Sequence, residues 1–532
     1  MRSLLTLLIA MSTSPLLATD YSSAISSFEA AVKSDMKEWD LGGVAVAWVD
    51  GTQIVYEKGF GEAKADSVFR AGSISKVFNA VAVMRLVEQG KLDLDAPLPA
   101  ERLPVNPFDE QKVTLRHLLC HRSGMQREAS TGGYFDDTEP TLAATVASLK
   151  GSALVSPPDS ENRYSNIAPS LAGQFAAEAA GKSYSELQAE GILKPLGMAR
   201  SGWLKKEVPE VIASHIRVAD GKGGYDRRST PLFDLGTIPA GNLYTTAGDL
   251  GRFIAMLAAG GDSPGGRVLK KETLEAMWKP QMDPNGSFGI GFAVGGWNGH
   301  KTVGHGGAVY GHSTQLTYLP EQKIGVVVLI NDDIVNGRSQ YLANEALIRM
   351  LDAKGAWAGD SLDEESEKVT ALAGVWESQS FWLELKADGD GLAGNLASQP
   401  CKLTSSGKGK AILNSRIHDN LPVMIEDGGA VLVAGPQRFT RVPAKRPALP
   451  KEWSKLMGSY GPGLIPFVVH EKHGRLYATT ENMVDYRLTA VNPHVFSFPP
   501  GMYLKEHAVF LTDEEGRVTA VELANMRLER IK

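Results

Sequence analysis

Cysteine is scarce: Cys120 and Cys401 are the two in 532 residues. They fall in what read as different domains, so no disulfide framework is expected to hold the fold. Strong charge is lacking too, with a formal net charge of −6 and no lysine- or arginine-rich run. That leaves no electrostatic footprint for nucleic acid. Beyond the first residues no apolar run is long enough to cross a bilayer, so no membrane span is expected. His117, Cys120 and His121 are spaced like helix-borne metal ligands, but no carboxylate or fourth ligand accompanies them. Neither a metal nor a cofactor is expected.

What is present is an ordinary globular composition, 43% hydrophobic and 22% charged, in a chain too long for one core. Its length predicts about two to four domains. Arg2, the apolar run Leu4–Met11 and the stretch Ser12–Ala18 have the form of a secretory signal. Cleavage after Ala18 predicts an exported protein, periplasmic or secreted. No cysteine stands directly after that point, so no lipid anchor is indicated.

The most informative stretch is Phe69-Arg70-Ala71-Gly72-Ser73-Ile74-Ser75-Lys76, which runs into the apolar helical pattern Val77–Glu88. Ser73 and Lys76 are three apart, so they share a helix face. A serine hydroxyl needs a base within hydrogen-bond reach to act as a nucleophile. Burial and the helix dipole both lower a lysine pKa, which would let Lys76 be that base. Ser75 points off this face and reads as structural.

Around this stretch the pattern is α+β. Tyr21–Glu38 reads as an amphipathic helix, and Gly43–Thr52 and Gln53–Phe60 as a hairpin. Val113–His121 and Ala168–Ala180 read as helices, the second closed by Gly181. Thr246 and Asp249 have capping-box spacing. Gly289–Gly295, Gln315–Leu319 and Ile324–Ile330 read as three strands, and Gln340–Leu351 as a closing helix. The five strands are expected to form one antiparallel sheet flanked by helices. Gly261-Asp262-Ser263-Pro264-Gly265 matches a nucleophile-elbow pattern but follows a helix rather than a strand, so it reads as a loop.

Past an acidic linker at 358–368 the pattern changes to short alternating runs. Residues 369–442 and 452–532, separated by a proline-rich linker at 443–451, read as a diverged repeat. Leu372-Ala373-Gly374-Val375-Trp376 aligns with Leu456-Met457-Gly458-Ser459-Tyr460, Cys401–Thr404 with Tyr486–Thr489, and Gln437–Arg441 with Met526–Arg530. Each unit is large enough for a small antiparallel β-barrel.

Tyr164-Ser165-Asn166 and Gly304-His305-Gly306-Gly307-Ala308 follow the Ser-x-x-Lys motif in order. Ser-x-x-Lys, Tyr-x-Asn and His-x-Gly in this sequence resemble the penicillin-recognising serine hydrolases. The type is that of class C β-lactamases and their esterase and D-aminopeptidase relatives. Thr114–Leu119 with Ser123-Gly124, and Asn242–Thr246 with Asp249-Leu250, extend the resemblance over about residues 25–350. It implies a β-lactamase/transpeptidase-like catalytic domain over 19–357, with Ser73 acylated. Lys76 and Tyr164 then share the acid and base roles, and the resemblance leaves open which deprotonates Ser73. The backbone N–H groups of Ser73 and Ala308 would form the oxyanion hole, Gly306 and Gly307 would let a strand approach the substrate, and Asn166 would contact a substrate amide. His305 stands where many relatives have a lysine, and a mostly neutral histidine is a weaker carboxylate anchor. His312 reads as a packing residue.

The tail resembles the paired lipocalin-like barrels of D-aminopeptidases and related peptidases. In those relatives a loop of the last barrel enters the active site, which implies that Glu481 or Asp485 receives a substrate amine. The expected activity is hydrolysis of peptide or amide bonds in small peptides, either as an aminopeptidase favouring D-residues or as a less restricted peptidase for linear or cyclic peptides. The alternatives are a carboxylesterase with weak β-lactamase activity, and a penicillin-binding or sensor module that acylates and stalls. The partners expected are a small peptide, amide or ester and, through the barrels, further copies of the chain.

Overall fold

The computed structural model describes residues 19–108, 112–219, 225–281, 287–357, 369–443, 445–446, 448–463, 465–480, 483–501 and 503–531. The signal segment, the acidic linker and Glu481 lie outside them.

Helix α1 (Ser22–Trp39) buries Phe28, Val32, Asp35 and Trp39, a stripe at helical spacing. The hairpin β1 (Gly43–Asp50) and β2 (Gln53–Gly61) follows. β1 is buried on both faces because helices cover both. Val44, Val46 and Trp48 face α1 and the last helix of the domain, while Ala45, Ala47 and Val49 face the larger helical core. That core holds α2 (Ser75–Glu88), α3 (Leu115–Leu119), α4 (Ile167–Ala180) and α5 (Ala247–Ala258). Strands β3 (Ala293–Trp297), β4 (His300–Val309), β5 (His312–Leu319) and β6 (Ile324–Ile330) return to the sheet, and α6 (Asn336–Ala353) packs beside α1.

The sheet is antiparallel and six-stranded, in the order β2-β1-β6-β5-β4-β3. It therefore has one strand more than the sequence pattern suggested. The added strand is β4, which carries the His-x-Gly motif. Gly304, Gly306 and Gly307 depress its strand character, and contact requires two of them: a Cβ on Gly307 would lie 2.1 Å from the Ala71 carbonyl oxygen, and one on Gly304 2.0 Å from that of Leu316.

Asp35 and Arg338 join α1 to α6 in a pair only 3% and 4% exposed. The guanidinium lies 5.0 Å over Trp39 and 4.4 Å over Tyr341. Removing one partner strands a buried charge, so Asp35→Ala is expected to cost about 3–5 kcal/mol, read as a lower urea midpoint with an unchanged slope.

In the tail, eight strands from Gly374–Glu377 to Gln437–Arg441 close a barrel. The second unit departs from the barrel expected for it. It is built of a four-stranded and a five-stranded sheet, linked by a bridge between Tyr460 and Arg530. The repeat is nonetheless visible atom by atom. Trp376 Nε1 donates to the Leu372 carbonyl as the Tyr460 hydroxyl donates to that of Leu456. Arg441 then covers Trp376 at 4.4 Å, and Arg530 covers Tyr460 at 5.8 Å.

Candidate active site

Gly72 turns the chain into the helix with φ +55, and a Cβ there would meet the Ala308 nitrogen at 2.8 Å. Glycine thus brings the start of the helical segment against β4, with Ser73 next in sequence. Ser75 pins this turn, as its hydroxyl donates to the Gly72 carbonyl at 2.6 Å and accepts the Leu243 N–H at 2.9 Å. The fold therefore brings Ser73, Ala308 and the flanking Gly306 and Gly307 together, and Thr314 closes the back by donating to the Ala71 carbonyl at 2.9 Å.

Lys76 is buried one turn along. Its Nζ lies 3.0 Å from Ser73 Oγ, 2.8 Å from Asn166 Oδ1 and 2.9 Å from the Ala240 carbonyl. The orientation of Asn166 is set from behind, because its Nδ2 donates to the fully buried carboxylate of Glu128. Burial holds the Lys76 pKa well below its usual value; the charge of Arg127 adds to this and that of Glu128 opposes it. Tyr164 is hydrogen-bonded to Ser73, and burial pushes its hydroxyl up to about 12. Its ring lies 4.8 Å from Lys76 Nζ.

His121 stacks on Tyr164 with ring centroids 4.3 Å apart, accepts the Ser165 N–H on Nδ1, and meets Phe288 edge-on. His117 accepts the Thr114 N–H in a capping box, and the Cys120 thiol donates to the Arg116 carbonyl. Local hydrogen bonds and stacking thus account for the three side chains spaced like metal ligands. His305 lies 6.3 Å from Tyr164 between ring centroids, and its Nδ1 is bonded to the Gly306 carbonyl. A carbonyl only accepts, so Nδ1 carries the proton and Nε2 is a bare acceptor. Nε2 is buried with no hydrogen-bond partner among the described residues. Burial, with the charge of Lys76, lowers the His305 pKa to about 4. A cleft of about 450 Å³ beside it is lined by Phe288, Val294, Thr302 and His305. His312 lies away from this cleft, buried edge-on to Phe69.

Asp485 is not at this centre. It is fully buried between the two tail units, accepting from Trp382 Nε1 at 2.8 Å, Ser398 Oγ at 2.6 Å and Thr479 Oγ1 at 2.6 Å, with His470 Nε2 at 3.1 Å. Burial opposes its ionisation, yet these hydrogen bonds hold its carboxyl below the usual range. It seals the seam between the tail units. The tail reaches the centre elsewhere, through Tyr503 and Glu506, which contact Arg127 and Arg163 beside the Tyr164 segment. The sequence reading passed over Glu128, Arg127, Arg163, Tyr503 and Glu506.

The sheet order and the Ser-x-x-Lys at the head of a buried helix define a β-lactamase/transpeptidase-like protein. The family model described as Beta-lactamase matches residues 28–348, and the chain belongs to that family of serine hydrolases. Penicillin-binding protein 4 of Amycolatopsis lactamdurans is 29% identical over 314 residues, 55% of this chain and 80% of that protein. The D-alanyl-D-alanine-carboxypeptidase/endopeptidase AmpH of Escherichia coli (strain K12) is 30% identical over 227 residues, 40% of this chain and 56% of AmpH. The chain thus spans little more than half of AmpH. The octameric penicillin-binding protein homologue from Pyrococcus abyssi shares the fold, with a TM-score of 0.57 at 24% identity over 87% of this chain and 99% of that one. Among the described residues no helix is long and apolar enough to cross a membrane.

Proposed function

We propose that the protein hydrolyses amide bonds of small peptides through an acyl-enzyme on Ser73, with Lys76 as the base. The observation that carries this is the position of Lys76 Nζ, buried and 3.0 Å from Ser73 Oγ. Asn166 Oδ1 and the Ala240 carbonyl can only accept, so each takes one Lys76 N–H. A protonated lysine donates to all three neighbours, Ser73 Oγ included; once neutral it has just two protons for these acceptors, and its lone pair is left for Ser73 Oγ at 3.0 Å. The depressed pKa of Lys76 and the raised pKa of Tyr164 favour the state in which lysine is neutral and tyrosine protonated.

In this reading Ser73 Oγ attacks the amide carbonyl as its proton passes to Lys76 Nζ. The N–H groups of Ser73 and Ala308 take the oxyanion. Tyr164 protonates the leaving nitrogen and is reprotonated from Lys76, the C–N bond breaks, and water then releases the acyl group. The bare Nε2 of His305 accepts a hydrogen bond and carries no charge near neutral pH, so it suits a substrate N–H better than a carboxylate. That supports an uncharged amide or peptide beside β4 over a β-lactam carboxylate. The name of AmpH, a carboxypeptidase and endopeptidase for D-alanyl-D-alanine, supports peptides with D-residues. Export, a signal peptide and assembly through the tail belong to the same proposal.

The test is release of nitroaniline from D- and L-alanine p-nitroanilides, each with a free or acetylated N-terminus. Turnover of at least one amide, with acyl mass trapped on Ser73, is expected. A free-amine preference would make the activity that of an aminopeptidase, with Glu481 as the remaining tail candidate for the amine. Turnover of p-nitrophenyl esters alone would overturn the amide reading in favour of an esterase. One burst without turnover would leave an acylating sensor.

A further inference from the structure

Residues 503–506, which lead into the strand His507–Thr512 of the last tail unit, reach the Tyr164 segment through a set of contacts. Glu506 Oε1 accepts Arg163 Nη2 at 2.7 Å and the main-chain N–H of Arg127 at 3.2 Å. Arg163 also donates to the Leu504 carbonyl. Lys505 Nζ lies 3.0 Å from Glu161. The Arg127 guanidinium sits between two rings, 5.6 Å from that of Tyr164 and 5.9 Å from that of Tyr503. The Arg163 and Glu506 side chains are 5% and 3% exposed.

These contacts grip both strands of chain that hold the second motif. Arg163 is the residue before Tyr164, and its own N–H is tied to the His121 carbonyl at 2.7 Å. The Arg127 carbonyl accepts the N–H of Asn166 at 2.8 Å. One carboxylate oxygen therefore holds the side chain of the residue that precedes Tyr164 and the main-chain N–H of Arg127, the residue whose carbonyl anchors Asn166. Residues 503–506 lie outside the family-matched region, which ends at 348.

We propose that residues 503–506 are a latch that completes the catalytic centre, with Glu506 as a positioning residue holding Tyr164 and Asn166 in line with Ser73 and Lys76. The proposal rests on the catalytic reading above. Its physical basis is that a misplacement of about 1 Å in a catalytic group can cost about 100-fold in rate, while substrate contacts stay intact.

The test uses the full chain and the best amide found. Glu506→Ala is expected to lower kcat by about 10- to 100-fold with KM within about threefold, the split that marks a loss confined to the transition state. Phosphonylation of Ser73 by a fluorophosphonate probe, with loss of fluoride, is expected to slow in parallel. Glu506→Gln keeps an acceptor for both donors and is expected to recover most of the rate. Because Glu506→Ala strands a buried guanidinium, the deciding variant is Arg163→Met/Glu506→Met, which removes both charges. It is expected to fold, by near-ultraviolet circular dichroism and melting temperature, yet to remain as slow as Glu506→Ala. A double variant with the wild-type kcat would show that Glu506 serves only to neutralise Arg163, and would overturn the latch. So would a folded Glu506→Ala with unchanged kcat. Failure of the catalytic reading itself is seen separately, as activity surviving in Ser73→Ala.

Discussion

Ser73→Ala is expected to lower kcat/KM on the best amide by about 10⁴-fold or more, the scale seen when the nucleophile of a serine hydrolase is removed. The fold should survive, because among the described residues Ser73 Oγ bonds only Lys76 and Tyr164, both at the catalytic centre. The neighbouring Ser75→Ala makes the contrast. Ser75 holds the Gly72 carbonyl and the Leu243 N–H, so its loss should lower stability by about 1–3 kcal/mol while acyl trapping on Ser73 persists. Intact-mass spectrometry after probe treatment separates the two variants. A Ser73→Ala protein that still hydrolyses the amide would remove the acyl-enzyme mechanism outright.

Lys76→Arg should be as inactive as Lys76→Met, each losing about 10²- to 10⁴-fold in kcat/KM, the usual worth of a general base. An arginine keeps a positive charge but cannot give up its proton in this pH range. Equal losses therefore identify proton transfer, and activity retained in Lys76→Arg would mean that lysine acts only as a cation. The pH profile follows with a definite sign. The base works unprotonated, so kcat/KM is present above the Lys76 pKa and falls as pH drops through it. Because burial sets that pKa well below 10.5, the acid limb should lie well below the range of an exposed lysine. Tyr164, at about 12, should add no alkaline limb below about pH 10.

Which parts of this were legible beforehand follows from how far each signal reaches along the chain. Ser73, Lys76, Tyr164 and His305, which the structure brings together, could be singled out beforehand because the motifs that hold them are short and ordered. The alternating faces of β1 and the stripe on α1 were equally local. β4 has no local strand pattern, because its glycines, two of them needed for close approach to Ala71 and Leu316, erase strand propensity, and only the motif resemblance put a strand there. Asp485 was expected, with Glu481, to receive a substrate amine, and only its pairing with Trp382 and Ser398 from the other tail unit shows it to be buried. Glu506 and Arg163 stand 343 residues apart, and Glu128 is a carboxylate with no exposure at all. Composition argues against burying such groups, so nothing short of the tertiary structure reveals them.

The place of β1 in the sheet bears on how the chain is made. β1 pairs on one side with its hairpin partner β2 and on the other with β6, and Gly43 bonds Asn331 across 288 residues of chain. During synthesis β1 emerges early, with valine and alanine on both faces, and cannot complete its pairing until residues near 330 follow. Contacts this distant slow folding, and the waiting strand presents an open apolar edge. A chain truncated before β6 should therefore aggregate rather than fold in part. During biogenesis, a factor that shields this hairpin would matter more than any aid to the later tail units, whose strands pair mostly with close neighbours in sequence.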